Sequence, residues 1–86
     1  MKDRTGQGKM IIRTKGYATL KRFTEHLKPE SRLSVPDNAT VANVLSWLAV
    51  PRDIKVITMI NGRHCDLDHI LRPEDKLVFF PPLEGG

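Results

Sequence analysis

Only one stretch of this chain carries a strong helical period. Val41, Val44, Leu45 and Leu48 recur at i, i+3, i+4 and i+7, the spacing that puts apolar side chains on one stripe of a helix. Asn38-Ala39-Thr40 supplies capping chemistry ahead of it, and Pro51 ends it. The other apolar runs are short and strand-like. A lone helix can cover one face of a sheet but not two. The pattern therefore predicts an α+β fold: a mixed, curled sheet of four or five strands with the 41–49 helix packed across one face.

The strands follow from alternation and punctuation. Met10, Ile12 and Thr14 alternate with Ile11, Arg13 and Lys15, the period-2 pattern of a first strand. Leu20, Phe23 and Leu27 then mark a short helical turn that Pro29 cuts off. Leu33 and Val35 form a second strand, ended by Pro36-Asp37. Ile54 to Ile60 is β-branched and apolar and reads as a central strand. Asn61-Gly62 follows, a hairpin signal because both residues accept positive φ. Arg63-His64-Cys65 is the expected short return strand. After a connection holding Ile70 and Leu71 and a turn at Pro73-Glu74-Asp75, Lys76 to Phe80 is the last strand. Trp47 lies off the helical stripe and is expected to edge the core. On the last strand, Leu77 and Phe79 should point inward and leave Val78 and Phe80 partly exposed. Residues 1–8 read as a disordered arm, 9–80 as the folded domain and 81–86 as a flexible tail. The last strand must lie near the first to complete one core, which is a β-grasp arrangement.

The chain has 86 residues, with 40% hydrophobic and 28% charged. A chain of this length buries only about 60–65% of the surface it exposes when unfolded, so one modest core is the most it can build. No apolar run approaches the roughly 20 residues of a membrane span, and Met1 to Gly8 lacks the apolar stretch of a signal peptide. A single cysteine, Cys65, rules out an internal disulfide framework. These features lead us to expect a soluble, monomeric, cytoplasmic protein.

The net charge of +4 is uneven. Lys9, Arg13, Lys15, Lys21, Arg22, Lys28 and Arg32 crowd the first half, and acids gather in the last third. With one Trp, one Tyr and three Phe and no nucleic-acid motif, the basic half is better read as a solvated face or as a dock for an acidic protein. His26, His64, His69 and Cys65 lack the paired spacing of a metal site. Asp66 and Asp68 read as turn residues, and Cys65 as a small hydrophobe.

The chain ends Phe80-Pro81-Pro82-Leu83-Glu84-Gly85-Gly86. Glycine has no Cβ, so a diglycine end is slim enough to thread a narrow channel, and the proline pair stiffens the approach to it. Together with the element order and the Asn61-Gly62 turn, this ending resembles the ubiquitin-like sulfur carriers, a family that includes the small subunit of molybdopterin synthase and the thiamine sulfur carrier. The resemblance covers residues 9–86. It implies that Gly86 is adenylated and converted to a thiocarboxylate, while Pro81, Pro82, Leu83, Glu84 and Gly85 thread the partner's channel. Independently of the resemblance, the strand alternation leaves Phe80 and Val78 as an exposed patch beside the tail, a docking site bordered by Arg13 and Lys15. No cofactor would be bound; ATP and metal would come from a ubiquitin-activating-type adenylating enzyme. The sulfur would pass to the large subunit of molybdopterin synthase or, second, to thiazole synthase. The chain would then be a carrier, not an enzyme. The turn before the last strand often reads Asp-Gly-Asp in relatives and is Pro73-Glu74-Asp75 here, so the pathway stays open. So do two other readings: a protein modifier joined through Gly86 to lysines, and a non-catalytic β-grasp binding module.

Overall fold

The structure is a computed structural model, and it describes residues 8–82. In chain order it contains β1 (Lys9–Gly16), a 3₁₀-helical segment (Ala18–Leu27), β2 (Arg32–Pro36), α1 (Val41–Trp47), β3 (Ile57–Ile60), β4 (Arg63–His64) and β5 (Lys76–Phe80). The five strands form one sheet in the order β2-β1-β5-β3-β4. The β1–β5 pair is parallel and the other three pairs are antiparallel. The last strand thus sits in the middle, between the first and the third. This is the mixed sheet with one main helix expected of a β-grasp fold.

Alternation on the strands sets the core. Met10, Ile12, Thr14 and Gly16 of β1 face inward, with Leu77 and Phe79 of β5 and Val35 of β2. Ile12, Val35, Val41, Val44, Leu77 and Phe79 are fully buried, each contributing about 1.5–3 kcal/mol of apolar burial. Thr14 is buried among them, and its hydroxyl meets no hydrogen-bond partner among the described residues.

Two close fits fix how the elements leave the sheet. At the end of β1 the Gly16 N–H donates to Thr24 Oγ1 at 3.1 Å, and the 3₁₀ segment folds back over the glycine. A Cβ on Gly16 would lie 2.3 Å from the Leu20 carbonyl oxygen and 2.9 Å from Phe79 Cε2, so no larger residue fits without moving backbone. At the β3–β4 turn, Asn61 and Gly62 take φ of 53° and 88°, the left-handed pair that a two-residue hairpin needs. Asn61 also grips the start of β5. Its N–H donates to the Lys76 carbonyl at 2.9 Å, and its Oδ1 accepts from the Lys76 N–H at 3.0 Å. Its Nδ2 donates to Asp75 Oδ1 at 3.0 Å, while Asp75 Oδ2 accepts from the Arg72 N–H at 2.9 Å.

Helix α1 is closed at both ends. Thr40 Oγ1 accepts from the Asn43 N–H and Asn43 Oδ1 accepts from the Thr40 N–H, a reciprocal capping box. The next orphan donors are taken by the 66–71 loop: the Val41 and Ala42 N–H groups donate to the carbonyls of His69 and Leu67. At the other end Val50 N–H donates to the Leu45 carbonyl and Ala49 N–H to that of Ser46. That is a Schellman motif with Ala49 in the left-handed position, φ 67°.

Several elements differ from the sequence expectation. The helix stops at Trp47, since Ala49 turns left-handed. The third strand starts at Ile57, because the Ile54 N–H closes a turn onto the Pro51 carbonyl at 3.3 Å. Ile54 and Val56 still pack against the core from this irregular segment. Trp47 is 52% exposed and does little to edge the core. The return strand ends at His64, although the Cys65 N–H still donates to the Thr58 carbonyl, and Cys65 is half-buried.

Candidate docking face and tail root

One face of the sheet carries α1 and the 3₁₀ segment; on the other, no described element packs. Its residues are the odd members of β1 and their in-register partners. Lys15 pairs with Val78, Val78 with Met59, and Met59 with His64, which makes one line across β1-β5-β3-β4. The next line holds Phe80 beside Ile57. Met59, Ile57, Val78 and Phe80 are half-buried, and Lys15 is exposed. Tyr17 joins this corner: its N–H donates to the Phe79 carbonyl at 3.0 Å, and Lys15 Nζ stands 5.4 Å from its ring centroid, a cation–π contact. Arg13 is exposed and lies between Arg32 on β2 and Lys76 on β5.

Arg13, Lys15, Val78 and Phe80 are therefore brought onto one surface by the parallel β1–β5 pairing. Tyr17, Met59 and Ile57 belong to the same surface and were not singled out in the sequence. Met59 and Ile57 look like ordinary members of a buried strand until the β3–β5 register is known. Pro81 and Pro82 leave β5 directly beside Phe80 and are half-buried. Leu83, Glu84, Gly85 and Gly86, the expected threading and reacting residues, lie outside the described residues, as do residues 1–7 of the expected arm.

The remaining candidates are held by local structure. Asp66 accepts the His69 N–H on its backbone carbonyl, and Cys65 accepts the Thr58 hydroxyl at 2.9 Å on its own carbonyl. Among the described residues no three His, Cys, Asp or Glu side chains gather as metal ligands. The α1 N-terminus presents no vacant donors to an anion, since Thr40, Leu67 and His69 occupy its first N–H groups. No helix among the described residues is long and apolar enough to cross a membrane.

The sequence profile of the ThiS family matches residues 16–86, from the end of β1 through the diglycine. The chain belongs to the ThiS family. Solved structures share its fold. Small archaeal modifier protein 1 of H. volcanii superposes with a TM-score of 0.65 at 21% identity, over 86% of this chain and 99% of that one. A further structure of SAMP1 from Haloferax volcanii gives 0.62 at 22% identity, over 92% and 100%. The Haloferax volcanii HVO 2177 protein, solved in solution, gives 0.66 at 27% identity, over 99% and 94%. No curated protein matches the chain. Family and fold together make this ThiS-family chain a small protein of ubiquitin-like, β-grasp architecture.

Proposed function

We propose that this protein is a cytoplasmic sulfur carrier whose reactive group is the Gly86 carboxylate. The observation that carries this reading is the family match, which extends from the end of β1 to Gly86 and so takes in the diglycine. A carboxylate is a poor electrophile because its charge is delocalised and its leaving group would be oxide. Attack of the Gly86 carboxylate on the α-phosphorus of ATP releases pyrophosphate and leaves an acyl-adenylate. A sulfur nucleophile then adds to the acyl carbon and AMP departs. With hydrosulfide as the nucleophile the terminus is then a thiocarboxylate; with a donor's persulfide, a second thiolate attacks the donor-side sulfur of the acyl disulfide, forms a disulfide with the donor and releases the thiocarboxylate. An adenylating enzyme of the ubiquitin-activating type supplies nucleotide and metal. The carrier supplies a reachable end, with no general acid or base of its own. Gly85 leaves no side chain to meet a channel wall, and Pro81 and Pro82 reduce the entropy lost when the tail is ordered, about 1–2 kcal/mol per residue. The outer face, with Val78, Phe80, Tyr17 and the flanking Arg13 and Lys15, is the side that docks. The acceptor is the large subunit of molybdopterin synthase, on the strength of the Phe80-Pro81-Pro82 ending, with thiazole synthase second.

A second reading is favoured by the fold neighbours that are named modifier proteins: the same activated Gly86 would be taken by a lysine amine and not by sulfur. Incubation with ATP, a sulfide source and the adenylating enzymes of the same genome, followed by intact mass, tests the first reading. The expected product has one oxygen replaced by sulfur. Isopeptide conjugates in cells without any thiocarboxylate would favour the second, and no adenylation at all would overturn both.

A further inference from the structure

Arg32, Arg13 and Lys76 stand on one register line across β2, β1 and β5. All three are exposed on the outer face. Neighbouring strands are about 4.8 Å apart, so three cations span only about 10 Å, close to one Debye length at physiological salt. Like charges placed directly opposite one another weaken a sheet. Glu30, 3.8 Å from Arg32 and itself exposed, is too solvated to relieve the line. Among the described residues neither Arg13 nor Lys76 has a carboxylate within ion-pair distance to offset this repulsion.

The line also has a direction. Along β5 the cations come first, at Lys76, the apolar pair Val78 and Phe80 second, and the tail root Pro81 last. From Lys76 to Pro81 a strand rises about 17 Å. We propose that Arg32, Arg13 and Lys76 form an orienting site for a strip of carboxylates on the adenylating enzyme, set about 17 Å from the mouth of the channel that takes the tail. This rests on the outer face being the docking side. An apolar patch alone leaves rotation about its own normal undetermined. A charged line at one end of it admits the orientation in which β5 points its end into the channel, because the reverse would bury the cations against the channel rim. Nucleic acid fits the face less well: bases need several free aromatic faces to stack on, whereas Phe80 is half-buried and Tyr17, 44% exposed, has Lys15 Nζ 5.4 Å from its ring centroid.

The test uses the full chain and the adenylating enzyme of the same genome, following pyrophosphate release. Arg13→Gln and the Arg13→Gln/Lys76→Gln double variant should raise KM for the carrier by about tenfold or more, leave kcat at saturation unchanged, and flatten the rise of KM with salt. Lys21→Gln removes the same charge from the 3₁₀ segment and should leave KM as it was. Circular dichroism melts confirm that each variant is folded. If Val78→Asp raises KM but the Arg13 and Lys76 variants do not, the docking face stands and the cation line is refuted. If none of them raises KM while the wild type is loaded, docking lies elsewhere and both fall. Tight binding of a mixed-sequence RNA oligonucleotide at physiological salt, lost in Arg13→Gln, would overturn the assignment to an acidic protein surface.

Discussion

At the scale of single residues, two backbone positions pull in opposite directions. Gly16 is present because nothing else fits: the built Cβ meets the Leu20 carbonyl at 2.3 Å, a backbone atom that cannot rotate away. Gly16→Ala should therefore destabilise the fold by about 1–3 kcal/mol, read as a lower urea midpoint with little change in slope. Ala49 is the converse case. It occupies the left-handed position of a Schellman motif at φ 67°, where glycine carries no steric penalty. Ala49→Gly should raise the thermal midpoint, by a gain of about 0.5–1 kcal/mol. Neither fact is visible from residue type alone. A glycine ahead of a helical turn looks like a simple loop residue, and an alanine near a helix end looks like a good helix former.

Among the elements, the β3–β4 hairpin and the start of β5 act as one unit because Asn61 belongs to both. Its φ of 53° serves the turn, and its amide bridges Lys76 and Asp75. Asn61→Gly keeps the turn geometry and loses the side-chain bonds; Asn61→Ala loses both. The expected order of stability is wild type, then Asn61→Gly, then Asn61→Ala, with about 1–3 kcal/mol between the ends. Hydrogen exchange at the Lys76 amide should rise in both variants. Much at this scale was legible beforehand. The Val41-Val44-Leu45-Leu48 stripe located α1, Asn61-Gly62 located the hairpin, and alternation put Leu77 and Phe79 inside. What escaped is equally instructive. Ile54 and Val56 carry strand-like side chains on irregular backbone ahead of β3, because the core asks for the side chains and not for the ladder. The gathering of Tyr17, Met59 and Val78 depends on parallel and antiparallel pairings between distant segments, which no local window contains.

At the scale of the whole molecule, the proposed reacting end and the core can be tested separately. Among the described residues the buried core runs from Met10 to Phe79. Deleting Gly85-Gly86 should leave the melting temperature within error of the wild type while abolishing loading by the adenylating enzyme. Joint loss of both would show that the end is part of the fold. The placement of β5 has a mechanical consequence. Because it is hydrogen-bonded along both edges, to β1 on one side and β3 on the other, a pull applied through Pro81 loads two ladders at once, along their length. Many bonds must then yield together, and none can be peeled singly from a free margin. A machine that grips this protein by its end and tugs is hauling on a rope made fast along both sides.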